Sequence, residues 1–216
     1  MTALSLENLE IAQGDRVLVR QTVTVAAGEV LTIMGPSGSG KSTLLNAILG
    51  TLAPEFRCAG DIRLEERSLI GVPLRQRRVG VMFQDSLLFP HLSVGANLAF
   101  ALPADVKGRA ARATRVAEAL EQAGLAEFAD RDPETLSGGQ KARVALMRTL
   151  LAEPRLLLLD EPFSKLDTDR RAQLRSFVFQ RIIDRGIPAL LVTHDVEDAR
   201  AAGGAVVSPL GEALAV

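Results

Sequence analysis

The chain has 216 residues, 47% of them apolar and 24% charged, which is enough to build a buried core and argues against wholesale disorder. Its 25 Lys and Arg stand against 26 Asp and Glu, so the net charge is −1 and no global basic field is available for nonspecific nucleic-acid binding. Trp and Tyr are absent and only eight Phe remain for stacking on single strands, while one cysteine (Cys58) and two histidines (His91 and His194) exclude an internal disulfide and furnish no convincing zinc cage.

Cys58 reads as a small, partly buried thiol. No apolar run reaches the roughly 18–20 residues needed to span a bilayer. The start, Met1-Thr2-Ala3-Leu4-Ser5-Leu6-Glu7, has no basic segment and meets an acid at once, unlike a signal peptide. A reducing cytoplasm is the expected compartment.

Leu4 to Glu10 alternates apolar and polar, and Val17 to Val25 repeats this loosely, so the chain opens on antiparallel strands. Glu29 to Met34 is nearly all apolar, as a strand covered on both faces should be. A glycine-rich turn follows, then a helix over Ser42 to Gly50 with Leu44, Leu45, Ile48 and Leu49 at helical spacing and Gly50 as its stop. Arg78 to Phe83 is another short strand. From about 86 to 150 alanine becomes frequent and the period turns to 3.6, with Val116, Ala119, Leu120 and Ala123 on one face and Gly124 closing it. Arg109, Arg112 and Arg115 read as a solvated side of that helix. Arg155 to Asp160 and Ala189 to Thr193 read as two further buried parallel strands. A terminal strand pair is expected over Ala205 to Ser208 and Glu212 to Val216, around Pro209-Leu210-Gly211. The order of elements is an α/β pattern with a helical insert.

Gly35-Pro36-Ser37-Gly38-Ser39-Gly40-Lys41-Ser42 matches G-x-x-x-x-G-K-[ST], the P-loop, between a buried strand and a helix. Glycines let successive backbone N–H groups turn inward on a phosphate chain, and the helix that follows offers its positive end. Lys41 adds a charge for the β- and γ-phosphates, and Ser42 offers a hydroxyl to Mg2+. Leu156-Leu157-Leu158-Leu159-Asp160 is a buried strand ending in a carboxylate of the kind that helps hold that metal. Glu161 follows, and Pro162 stops the strand. A carboxylate one residue past the metal-holding one can reach a water in line with the γ-phosphate, which makes Glu161 the candidate general base.

Leu136-Ser137-Gly138-Gly139-Gln140 resembles the signature of ATP-binding cassette (ABC) proteins, and Lys141-Ala142-Arg143-Val144-Ala145-Leu146 after it resembles the same family. The resemblance runs over essentially the whole chain. Gln84 in Met82-Phe83-Gln84-Asp85 is similar to the Q-loop glutamine, and Leu88 to Val94 to the stretch after it in importer ATPases. Ser164-Lys165-Leu166-Asp167 resembles the D-loop, with Lys165 where Ala is commoner. Thr193-His194-Asp195 resembles the H-loop. His91 has no such support and reads as surface or packing.

This resemblance implies a P-loop NTPase core with a mainly parallel sheet, an antiparallel β subdomain at the N-terminus and an inserted α-helical subdomain carrying the signature. It implies one nucleotide-binding domain over 1–216, with the core at 1–85 and 151–216 and the helical part at about 86–150. It implies ATP and Mg2+, with Gly35 to Thr43 around the phosphates and Ser42, Gln84 and Asp160 at the metal. Glu161, His194 and Gln84 would be catalytic. Leu136 to Gln140 would meet the nucleotide of a second cassette in a head-to-tail dimer, with Asp167 at that contact. The partners implied are a membrane permease and a separate substrate-binding protein, with no nucleic acid, at the cytoplasmic face of the cell membrane. Leu87, Leu88, Phe89 and Leu92 would receive a permease helix or else form the helical subdomain's own core.

Among cassette proteins, the short stretch from Thr43 to Leu136 holds no long coiled coil, and there is one cassette with no fused membrane helices. The chain also ends soon after His194, without room for an appended regulatory domain. It therefore resembles free-standing importer ATPases, the small YnjD-type ones and the thiamine, iron and polyamine subunits. The alternative is the cassette of a membrane complex that transports nothing, as in cell division or lipoprotein release, and after that a soluble cassette protein. One feature departs from the family: the aromatic that stacks on adenine would fall at Ala12 or Gln13. Phe56 is the first aromatic in the chain. ATP and GTP should then be poorly distinguished, unless Gln13 or the stem of Arg16 covers the base.

Overall fold

The computed structural model describes residues 3–216; Met1 and Thr2, at the head of the segment read as lacking a signal sequence, lie outside it. In chain order the elements are β1 (Leu4–Gln13), β2 (Arg16–Val25), β3 (Val30–Met34), α1 (Lys41–Leu49), β4 (Phe56–Leu64), β5 (Arg67–Ser68), β6 (Val79–Met82), α2 (Val94–Ala101), α3 (Arg109–Gln122), α4 (Gly138–Leu151), β7 (Leu156–Asp160), α5 (Thr168–Arg185), β8 (Ala189–Thr193), α6 (Val196–Ala202) and β9 (Val206–Val207). They fall into two compact units. One runs to Val81 and resumes over Arg155–Glu161 and Arg175–Val216; the other takes Met82–Pro154 and Pro162–Leu174.

The first unit contains both sheets. The antiparallel sheet has the order β2-β1-β4-β5. Strand β1 bulges between Leu6 and Leu9, where Asn8 takes a φ of 46°. That extra residue keeps Leu4, Leu6, Leu9 and Ile11 on one buried face although their spacing is uneven. The second sheet has the order β6-β7-β8-β3-β9, with β7, β8, β3 and β9 parallel to their paired neighbours. Its strands β3, β7 and β8 are buried almost end to end, which is why they read as near-continuous apolar runs.

Helix α1 lays Leu44, Leu45, Ile48 and Leu49 into the core and stops at Gly50, which takes a left-handed φ of 75°. A Cβ at Gly50 would stand 2.3 Å from Arg77 Nη2. Arg77 fills that space and is only 6% exposed. Its guanidinium donates to the carbonyls of Ala47 and Ile48 at the end of α1, and to Val72.

The second unit is built on α2, α3 and α4. Val116, Ala119, Leu120 and Ala123 are buried, as their spacing indicated. The arginine side of α3 is not simply solvated. Arg109 is exposed, but Arg112 donates to the carbonyls of Val106 and Ala99, and Arg115 pairs with Glu153 at 3.0 Å. Two of the three guanidiniums are spent on neighbouring backbone and on an acid.

Other readings change in detail. Helices α2 and α6 carry only 8 and 7 residues, too short for a periodicity to declare them. Cys58 is exposed, as β4 is from Arg57 to Gly60, with burial resuming only at Ile62 and Leu64. The terminal strand pair reduces to β9 and one bridge between Val207 and Ala213. Pro209 has no N–H, and its carbonyl accepts from Arg20 of β2, so the turn is tied to β2. Among the described residues no helix is long and apolar enough to cross a membrane.

Arg77→Ala should strand the carbonyls at the end of α1 and open a hole at Gly50. We expect a loss of stability on the order of 3 kcal/mol, read as a lower urea midpoint at unchanged slope.

A phosphate cradle at the ends of three strands

Strand β3 ends at Met34, the loop Gly35 to Gly40 turns back, and α1 starts at Lys41. Gly40 caps α1 in a left-handed conformation, φ 105°, with no side chain on the first-turn N–H groups. A Cβ there would lie 2.6 Å from the carbonyl oxygen of Leu18, so Gly40 requires glycine, whereas one at Gly35 would lie 2.8 Å from Ser39 Oγ, a hydroxyl that can rotate aside. The loop encloses a cavity of about 230 Å3 lined by Ser37, Gly38, Gly40, Lys41, Ser42 and Thr43, with Leu18 and Glu161 facing them. Leu18 is a wall that no local pattern announced. It reaches the cradle only because β2 crosses the loop.

Lys41 is 6% exposed, and its ammonium donates to the carbonyls of Gly35 and Pro36 at 2.7 and 2.8 Å. The side chain is thus folded back along its own loop, with its charge at the cavity. The hydroxyl of Ser39 is buried with no partner.

Strand β7 delivers Asp160. Burial first, then the neighbouring Glu161, push its carboxyl above the ordinary aspartate range, while the Lys41 charge pulls it down. Glu161 leaves the strand with a φ of 46°, yet its N–H donates to the carbonyl of Val192 in β8, which fixes the turn. His194, just past the end of β8, places Nδ1 3.3 Å from Glu161 Oε1. Among the described residues no cluster of three or more His, Cys, Asp and Glu could cage a metal. The oxygens of Ser42 and Asp160 fit instead an Mg2+ that takes one or two protein ligands and fills its shell with phosphate and water.

The remaining predicted site residues belong to the second unit. Gln84 is exposed and lines a cavity of about 290 Å3 with Asp85, Glu134, Gly138, Lys141 and Leu166. Ser137 caps α4 in a capping box: its hydroxyl accepts from the Gln140 N–H at 3.4 Å, and Gln140 Oε1 accepts from the Ser137 N–H at 2.9 Å. Gly138 and Gly139 form the first turn, and Leu136 is buried beneath them. Asp167 accepts the Arg170 N–H at 3.1 Å as α5 begins. Lys165 pairs with Asp85. Leu87 is 59% exposed, whereas Leu88, Phe89 and Leu92 are half-buried, so that segment is part surface and part core. His91 is exposed, its ring 5.9 Å from that of Phe89.

Of the two positions expected for a base-stacking aromatic, Ala12 is buried and cannot cover a ligand. Gln13 is exposed and stands opposite Arg16 across β1–β2 and opposite Phe56 across β1–β4. Arg16 also lines an apolar cleft of about 440 Å3 with Leu18, Pro36, Leu210 and Leu214.

Comparison with known proteins agrees with this geometry. The ABC transporter family matches residues 18–164. The Escherichia coli ABC transporter ATP-binding protein YnjD is 50% identical over 183 residues, covering 85% of this chain and 84% of its own. The thiamine import ATP-binding protein ThiQ of Cereibacter sphaeroides is 44% identical over 197 residues, covering 91% and 84%. The solved structure of cbiO1 from Clostridium perfringens, part of the ABC transporter complex cbiONQ, superposes with a TM-score of 0.84 at 27% identity, over 98% of this chain and 86% of that one.

Lys41→Ala removes the one ammonium in the cradle and frees the two carbonyls it holds. Affinity for ATP, measured by calorimetry, should fall at least about tenfold, or ~1.4 kcal/mol. A change of less than twofold would show that the loop's amides suffice.

Proposed function

The chain belongs to the ABC transporter family, as an ATP-hydrolysing, energy-coupling subunit, and on that premise we propose that it powers a binding-protein-dependent importer. The observation that carries the reading is the meeting of the Lys41 cradle, the Asp160–Glu161 pair and His194 at the ends of β3, β7 and β8. Support for importer rather than another membrane complex comes from relatives such as the thiamine import protein, matched along nearly the whole chain. Residues 1–216 would act as one nucleotide-binding domain, with the helical subdomain at about 86–150. A permease and a separate binding protein would be its partners, and the chain would work at the cytoplasmic face of the membrane through that permease.

In this reading the amides of Gly35 to Thr43 and the Lys41 ammonium hold the triphosphate. Ser42, Asp160 and Gln84 would hold Mg2+, which neutralises charge on the transferred phosphoryl group. Glu161 accepts the proton of the attacking water. Its left-handed turn and its tether to Val192 hold the backbone that bears the carboxylate, which supports its positioning for that step. His194 is held against Glu161 and serves the γ-phosphate side. Leu136 to Gln140 would present the α4 N-terminus to the nucleotide of a second copy, head to tail, with Asp167 at the same contact.

Glu161→Gln keeps the shape and cannot accept a proton. We expect ATP binding near wild type, turnover below about 1% of wild type, and an ATP-dependent dimer on size exclusion. Ser137→Arg should leave binding to the monomer intact and abolish that dimer. Wild-type turnover in Glu161→Gln refutes the base assignment, and equal loss of monomer binding in Ser137→Arg refutes the head-to-tail arrangement.

Base recognition follows from Gln13. With no aromatic there, phosphate contacts carry most of the affinity and are blind to the base. The wild type should bind ATP and GTP within about tenfold of each other, and Gln13→Tyr should favour ATP through stacking worth about 1–3 kcal/mol. A wild-type preference for ATP above tenfold, unchanged in the variant, would assign base reading to another residue, with Arg16 and Phe56 next in line.

A further inference from the structure

The turn that carries His194 is braced by a closed ring of polar groups behind it. Thr193, the last residue of β8, is 1% exposed. Its hydroxyl donates to Asp198 Oδ2 at 3.0 Å and accepts the N–H of Asp195 at 3.1 Å. Asp198 is 2% exposed and receives the Arg175 guanidinium, Nε at 2.5 Å on Oδ1. Arg175 also reaches Asp195 Oδ1 at 3.5 Å. The Asp195 carboxylate accepts the N–H groups of Glu197 and Asp198 and so caps α6. The ring passes through both neighbours of His194. The imidazole itself is 61% exposed and is placed 3.3 Å from Glu161 Oε1.

An exposed side chain has little packing to aim it, so its position is set by the backbone that bears it. We propose that Arg175 and Asp198 are positioning residues for ATP hydrolysis, acting through Thr193 and Asp195 to hold His194 on Glu161. The proposal rests on the reading of His194 given above. Burying an ion pair is a poor route to stability, and an apolar pair of the same volume would fill the space. Such an apolar pair could not bond the Thr193 hydroxyl or the Asp195 carboxylate, as Asp198 and Arg175 do. Burial raises the Asp198 carboxyl above the ordinary range, against the pull of Arg175 and Thr193.

The test is steady-state ATPase of the full chain over a range of ATP concentrations. Asp198→Ala, Arg175→Ala and Thr193→Val are each measured alone and in a His194→Ala background, at a temperature where circular dichroism shows them folded. Each single variant should lose about tenfold in kcat with KM within about twofold, and should cost nothing further once His194 is gone, because residues acting as one unit are not additive. Asp198→Glu should recover part of the loss. Thr193→Val leaves no buried charge unpaired, so it decides the matter if Asp198→Ala or Arg175→Ala fails to fold. Losses that multiply in the His194→Ala background, a loss in KM alone, or wild-type kcat in Thr193→Val would overturn the proposal while leaving the role of His194 intact. Full activity in His194→Ala would overturn that role and the proposal with it.

Discussion

The parallel register of β7, β8 and β3 is the constraint from which the site follows. Met34 pairs with Thr193 and Asp160 with Val192, so three adjacent strands end level with one another. Each then hands its next residues to the same edge: β3 the phosphate loop, β7 the two carboxylates, β8 the histidine turn. Binding at the carboxyl ends of strands is general in open α/β sheets, because there the crossovers leave room and the helix N-termini point inward. A slip of one residue in β8 would move His194 by one strand rise, ~3.3 Å, and turn its side chain to the other face. Apolar residues alike on both faces do not set that register by themselves; the backbone ladders and the polar ends at Asp160 and Thr193 must hold it.

The same edge uses left-handed backbone at two of its turns. Gly40 and Glu161 both lie at positive φ, one at the mouth of the cradle and one beside it. For Gly40 this carries no steric penalty, because it has no Cβ. For Glu161 it costs on the order of 1 kcal/mol or more, offset by the bond from its N–H to Val192 and by what the turn achieves. A glutamate that continued β7 in extended form would alternate with Asp160 and face away from it. The left-handed turn brings both carboxylates to one side, where burial and the Glu161 charge make Asp160 harder to ionise and a cation more welcome.

Much of this was legible in the residues. The buried strands, the P-loop, Asp160 and Glu161 showed themselves because their patterns are local: an apolar run, a glycine spacing, a carboxylate before a proline. The helical face of α3 was equally local. What escaped depended on contacts distant in sequence. Leu18 lines the cradle because β2 crosses Gly40, and nothing near Leu18 says so. Helices α2 and α6 are too short for a period to accumulate. Arg112 and Arg115 looked solvated by spacing, and only tertiary neighbours turned them to carbonyls and to Glu153. The exposure of Cys58 depends on where the core beneath β4 stops, which no strand pattern reports.

The buried polar residues show how such a fold holds its loops. Lys41 ties the phosphate loop through Gly35 and Pro36, and Arg77 ties the far end of α1. Asn97, fully buried, bonds the backbone of Phe89, Leu92 and Ser93, and so shapes the segment that leaves Leu87 exposed. Gln21 holds the terminal turn through the carbonyls of Ser208 and Pro209. Thr193 and Asp198 hold the turn of His194. Apolar packing fixes strands and helices, whose backbone groups satisfy one another. A functional loop has carbonyls and amides with fewer such partners, and a polar side chain sunk beneath it can supply those that backbone or water do not. Burying that side chain is costly, so it is tolerated where a loop must keep one shape. Among the described residues only Thr32, in the middle of β3, is buried and polar without serving a loop, and its hydroxyl is the one in that group left without a partner.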